Sequence, residues 1–229
     1  MNSILIACRQ LIAIFLLYTI IINNVCSATY TAQKLMGLQS ALIGHRLYFF
    51  CGVTSKGTLI RDLFFLDLSS SFNIANPPYA LASTYDSSEF PGCLYSTGVV
   101  GGSNNATIVV FGGEIGETRF NTLYTIDTTV NPPKLSGKNS NLFDGRPRTR
   151  STIYSVVSNG IMYYFGDDES GNDTTTYTLD TRLWSWSSNI YPNAPASRRE
   201  FTATILPDGR ILYIGGTLLD SLANIYKVE

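Results

Sequence analysis

Short apolar runs, each closed by glycine, recur four times along the chain: Tyr48–Gly52, Ile108–Gly113, Met162–Gly166 and Ile211–Gly216. Their first glycines, Gly52, Gly112, Gly166 and Gly215, stand 60, 54 and 49 residues apart. A segment that returns about every fifty residues marks a repeat architecture. Each unit predicts the same series of short strands. The first covers 40–43, 97–100, 151–157 and 201–206, and a polar turn follows each, such as Ser158-Asn159-Gly160 or Pro207-Asp208-Gly209. Asn-Gly and Asp-Gly between apolar runs predict tight hairpins, because the central residues of such turns need positive φ. The glycine-ended run is the second strand. The third covers 62–68, 121–127, 175–180 and 223–228, with Asp67, Asp127 and Asp180 in one register, each closing its strand and opening a turn. The fourth is plainest at Leu183-Trp184-Ser185-Trp186, and Pro77-Pro78 and Pro132-Pro133 hold that place in the first two units. An edge strand tolerates proline, since the missing donor faces no ladder.

Four antiparallel strands at this period describe the blade of a β-propeller. The predicted blades cover about 38–80, 92–136, 148–190 and, incompletely, 197–229. Composition agrees with an all-β chain: 14 Tyr, 12 Phe and 19 Gly with only 14% charged residues. The glycine pairs Gly112-Gly113 and Gly215-Gly216, the downstream aromatic-x-hydrophobic-Asp, and Trp186 six residues after Asp180 resemble the kelch-repeat β-propellers, the broad group that includes the galactose oxidase central domain. The best stretch runs from Pro195 to Gly216, and the resemblance covers nearly all of 29–229.

Propellers close with four to eight blades, each covering its neighbour's apolar face. About three and a half blades leave two such faces and a strand edge to be covered. A truncated form of a longer six- or seven-bladed relative is the favoured account. Dimerisation that completes the ring and an irregular four-bladed ring are the others.

The first 28 residues carry one charge, Arg9, then an apolar run from Leu11 to Ile22 and small residues at Ser27 and Ala28. Twelve apolar-dominated residues before small ones predict a secretory signal peptide over 1–28. The alternative is an uncleaved membrane anchor, for which the run is short of the about 20 residues a span needs. Sixteen Lys and Arg face seventeen Asp and Glu, and loss of 1–28 removes only Arg9, leaving a net charge of −2. A slightly acidic chain is a poor polyanion binder, so nucleic acid is not an expected partner. Cys51 and Cys93 remain beyond the signal, where an oxidising compartment permits a bridge, though Cys51 is equally well read as a small core residue. Sequons at Asn105-Ala-Thr107 and Asn172-Asp-Thr174 agree with secretion and glycosylation.

The resemblance raises a copper oxidase, whose metal needs two histidines and two tyrosines. The single histidine, His45, sits beside a turn glycine and cannot supply that set. Metalloprotease, serine-hydrolase, Cys-x-x-Cys and Walker patterns are absent as well. No cofactor or metal is expected; the acidic run Asp167-Asp168-Glu169 reads as a solvated hairpin tip. Arg150 and Arg199 each lie 16 residues before their unit's glycine, Gly166 and Gly215. In kelch propellers that this chain resembles, arginines there line the mouth of the ring and pair with acidic peptide segments, which suits arginine's planar fork. Met36 and Ser96 occupy that register in the first two units, so a contiguous basic mouth is not expected. Arg150 and Arg199 read either as structural groups between blades that satisfy backbone carbonyls or, with Arg148, Arg198 and Tyr154, as a local ligand-binding patch. Trp184 and Trp186 alternate with serines and point to one strand face; Trp186 reads as interblade packing and Trp184 as a candidate sugar- or peptide-stacking ring. The expected function is a secreted or cell-surface binding module for protein, with glycan as a lesser ligand. A fragment of a galactose oxidase-like enzyme lacking its copper site is the alternative, and a longer form carrying a membrane anchor past Glu229 a third.

Overall fold

The computed structural model describes residues 30–115, 118–119, 122–138, 154–165, 174–217 and 226–227, and no helix occurs among them. The predicted signal peptide lies outside them. Four antiparallel sheets of three or four strands follow one another along the chain as meanders, beside two two-stranded ribbons that pair Leu35–Met36 with Val53–Thr54 and Glu114–Ile115 with Thr118–Arg119. Blade 1 contains β1 (Gln39–Ile43), β2 (Arg46–Phe50), β3 (Asp62–Asp67) and β4 (Tyr79–Thr84). Blade 2 contains β5 (Thr97–Gly101), β6 (Thr107–Phe111), β7 (Leu123–Asp127) and β8 (Lys134–Lys138). Blade 3 contains β9 (Val156–Ser158), β10 (Ile161–Phe165), β11 (Thr175–Asp180) and β12 (Ser185–Ile190). Blade 4 shows β13 (Arg199–Ile205), β14 (Ile211–Thr217) and β15 (Tyr226–Lys227). The innermost strands β1, β5, β9 and β13 pack in that order, and no contact of similar extent joins β13 back to β1 among the described residues.

Alternation along each strand divides its side chains between the two neighbouring blades. Tyr48, Phe50, Leu63 and Phe65 of blade 1 meet Ile108, Val110, Tyr124 and Ile126 of blade 2 in one buried cluster. Val109, Phe111 and Leu123, on the opposite face of blade 2, meet Met162, Tyr164, Leu179 and Trp186 of blade 3 in a second. Both faces of the blade 2 sheet are therefore apolar, and Ile108, Val109, Val110 and Phe111 are all fully buried. Trp186 is the interblade residue expected, its ring 4.8 Å from that of Phe111.

Hydrogen bonds join the blades where apolar contact stops. The Thr97 and Ser155 hydroxyls are bonded at 2.5 Å, and the Ser155 N–H donates to Thr97 Oγ1 at 3.0 Å. On blade 1's other face Tyr30 donates to Asp62 Oδ2 at 3.0 Å and stacks on Phe64 at 4.5 Å. Burial and the neighbouring Asp62 carboxylate push the Tyr30 phenol up to about 12.

Three expectations are corrected. The proline pairs do not lie within outer strands: β4 begins at Tyr79 and β8 at Lys134, each directly after the second proline. There the missing N–H falls outside the ladder. Trp184 is not in a strand; it closes the turn before β12 with φ +58°, its N–H donating to Asp180 O at 2.7 Å. Finally, Gly52 is the counterpart of Gly113, not Gly112. Cys51-Gly52 has φ +59° and +99°, matching +70° and +98° at Gly112-Gly113 and +74° and +89° at Gly215-Gly216. A Cβ on Gly52 would come within 2.9 Å of Met36 O, and one on Gly113 within 2.6 Å of Leu94 O. The second glycine is where the strand end lies flat against the chain entering its own blade, and Cys51 stands in the place of the first.

Candidate functional site

The axis of the array is an open channel of about 360 Å³ walled by the four innermost strands, including Ser40, Gly98, Val100, Ser155, Val157 and Thr204. None of its lining residues is charged. A charged ligand at this axis would have to be held by the connecting segments at either end.

Those ends differ. At one lie the short hairpins and the turns that follow the third strands. There the conserved geometry is an Asx turn: Asp67 accepts from Ser69 N at 2.8 Å, Asp127 from Thr129 N at 2.9 Å and Asp180 from Arg182 N at 2.8 Å. Asp180 also receives the Arg182 guanidinium at 2.9 Å. These bonds hold all three carboxyls below the ordinary range, Asp180 at about 2 with the Arg182 side chain as the largest cause. The aspartates set in one register by sequence are thus strand terminators. His45 is an exposed turn residue whose carbonyl accepts from Leu68 N at 2.7 Å.

The glycine pairs and the segments linking one blade to the next form the other end. Gly37, Tyr95 and Glu200 share a left-handed φ of +64°, +57° and +58°, which fixes the register of the entering segments. The residue before each is Met36, Leu94 or Arg199. Arg199 therefore has apolar counterparts in blades 1 and 2, and Leu94, rather than Ser96, is the blade 2 equivalent. Arg198 is buried, 2% exposed, and donates to Ala196 O at 3.0 Å and Gly215 O at 3.3 Å. It fastens the entering segment to the glycine pair and does not reach solvent. Tyr154 is exposed at this same end. Arg199 opens β13, its side chain outside the described part; Arg148, Arg150, the Asp167-Asp168-Glu169 run and the sequon at Asn172 also lie outside it.

The structure separates other candidates. Trp184 sits at the hairpin end and Tyr154 at the glycine end, so β9 and its flanks, about 15–20 Å of extended chain, stand between them. Trp184 is half-buried against the blade 2–blade 3 cluster. Asn105 is exposed at the tip of the β5–β6 connection. Cys51 and Cys93, 42 positions apart in sequence, are joined through their Sγ atoms, with Cα atoms 4.8 Å apart. The link ties the glycine position of blade 1 to the segment entering blade 2, and Gly52 N donates to Cys93 O at 2.6 Å beside it. No group of three or more His, Cys, Asp or Glu able to hold a metal occurs among the described residues.

Sequence reasoning missed a cavity of about 230 Å³ between blades 3 and 4, lined by Tyr163, Phe165, Tyr191, Pro195, Ile211 and Tyr213 among others. Its sequence signal is the aromatic run Tyr163-Tyr164-Phe165 in β10 with Tyr213 in β14, which reads equally as core.

With this arrangement established, the matching family model is the KLHDC2/KLHL20/DRC7 Kelch-repeats domain, over residues 37–226. The chain belongs to that Kelch-repeat family. Among curated proteins no match was found. Kelch-repeat domains are in general protein-binding modules without catalytic activity.

Proposed function

We propose that this Kelch-repeat chain is a protein-binding module of the secretory pathway or cell surface, engaging acidic segments of its partner at the glycine end of the ring. The observation that carries the reading is the uncharged channel wall, which leaves recognition to the segments joining the blades. Arginine in those segments supplies a planar fork for carboxylates, and Tyr154 adds an exposed aromatic ring. The Cys51–Cys93 link supports an oxidising compartment. The exposed Asn105 sequon and the signal-like N-terminus favour the same address.

The test uses full-length chain recovered from the medium of eukaryotic cells. Partner capture should be lost on reversing Arg150 and Arg199 to Glu, with the melting temperature unchanged. Capture that survives the double reversal would remove the acidic-segment reading. A drop in mass on enzymatic deglycosylation, abolished by Asn105→Gln and Asn172→Gln, checks the compartment. The glycan reading rested on Trp184, and its packing against the core disfavours it.

A further inference from the structure

The 230 Å³ cavity between blades 3 and 4 contains an incompletely satisfied group. Tyr213 is 5% exposed, its ring held by Phe165 at 5.1 Å and Phe201 at 5.5 Å. A buried tyrosine hydroxyl normally finds a partner. Here the hydroxyl makes no hydrogen bond among the described residues, yet is not sealed from solvent, and Tyr213 is one of the residues lining the cavity. Burial, with the Tyr191 phenol nearby, pushes the Tyr213 phenol up, so it remains a protonated donor.

The remaining walls narrow the ligand. Tyr163, Phe165 and Tyr191 add three rings, Pro195 an apolar flank, and Arg210, anchored by Asp208 at 2.8 Å, a cation at the rim. The space falls below the roughly 300–1,000 Å³ of small-molecule pockets and fits one side chain of a larger partner. Aromatic walls with hydrogen-bond donors suit a segment rich in carbonyl acceptors and poor in N–H groups. Proline-rich chain has that chemistry: its rings are apolar, it lacks the amide proton, and in polyproline II its carbonyls point outward unbonded.

We infer that the blade 3–blade 4 cavity is a second docking site, which takes a proline ring of an extended partner segment while Tyr213 donates to a neighbouring backbone carbonyl. This rests on the protein-binding reading above and adds a contact between blades 3 and 4.

The experiment is calorimetric titration of the full chain with a proline decapeptide and, separately, a Gly-Ser decapeptide. The proline peptide should bind and the Gly-Ser peptide should not. Tyr213→Phe, which keeps the ring packing, should weaken binding about three- to tenfold, the worth of one hydrogen bond. Tyr191→Ala, on an exposed residue, should weaken it further with the melting temperature unchanged. Equal binding of the two peptides, or equal affinity of Tyr213→Phe and the unaltered chain, would overturn the inference. If the proline peptide fails while arginine-dependent partner capture persists, this site alone falls; the reverse outcome removes only the acidic-segment reading.

Discussion

Thr181, in the turn after β11 of blade 3, bridges to blade 2 through Gly101 and the residue after it. A Cβ on Gly101 would come within 2.7 Å of the Thr181 side chain, and Gly102 N donates to Thr181 Oγ1 at 3.1 Å. The same hydroxyl donates to Gly160 O at 2.8 Å, within its own blade. One fully buried side chain thus fixes the hairpin end of two adjacent blades.

Two substitutions test that bridge. Gly101→Ala should destabilise by about 1–3 kcal/mol, because the neighbouring blade must shift. Thr181→Val should cost about 1–3 kcal/mol by leaving Gly102 N buried without its acceptor. Chemical denaturation measures both; a change under about 0.5 kcal/mol in either would show that the blades are not locked here.

Cys51 occupies a glycine's backbone at φ +59°. Both Cys51→Gly and Cys51→Ala abolish the link to Cys93, so their difference reports the backbone alone. Cys51→Gly should be the more stable by about 1–2 kcal/mol, since a Cβ is penalised in the left-handed region. Each should lie about 2–4 kcal/mol below the oxidised unaltered chain. Thermal denaturation with and without reductant checks the order, and a more stable alanine variant would contradict the register given to this position.

Asp67, Asp127 and Asp180 are acids whose folded values lie below their unfolded values. The sign follows: their turns contribute stability fully above about pH 4, and lose it as pH falls through the folded values. For Asp180 that window runs from about 4 down to about 2. Carboxyl NMR titration should place the Asp180 midpoint near 2, and Arg182→Ala should raise it. A midpoint near the ordinary aspartate value would dissolve the assigned pair.

Phe111 packs on Tyr164 at 5.4 Å and Trp186 at 4.8 Å, across the blade 2–blade 3 seam. Phe111→Ala should cost about 3–5 kcal/mol. It should also red-shift the fluorescence of Trp186 as water reaches the ring. Loss of stability with unchanged emission would place the damage elsewhere.

The repeat was legible because a strand's side chains alternate, so each blade's two apolar faces are written directly in runs such as Thr107–Phe111. The terminating aspartates were legible for a similarly local reason: an Asx turn closes over two residues. Trp184 was misplaced because alternation with serine looks the same in a turn as in a strand, and only the positive φ distinguishes them. The arginine register slipped in blade 2 because spacing was counted through entering segments, where Gly37, Tyr95 and Glu200 each bend the chain without a shared residue type.

Local patterning by itself determined the strands, their hairpins and the four-fold succession of sheets, since each depends on residues close together in the chain. Only the packing of one sheet on the next decided that Arg198 is buried while Tyr154 is exposed, that Cys51 replaces a glycine beside Cys93, and that Tyr213 faces a cavity. Those outcomes depend on which atoms of a neighbouring blade fill the space beside each side chain, and residues some fifty positions apart carry no mark of that proximity.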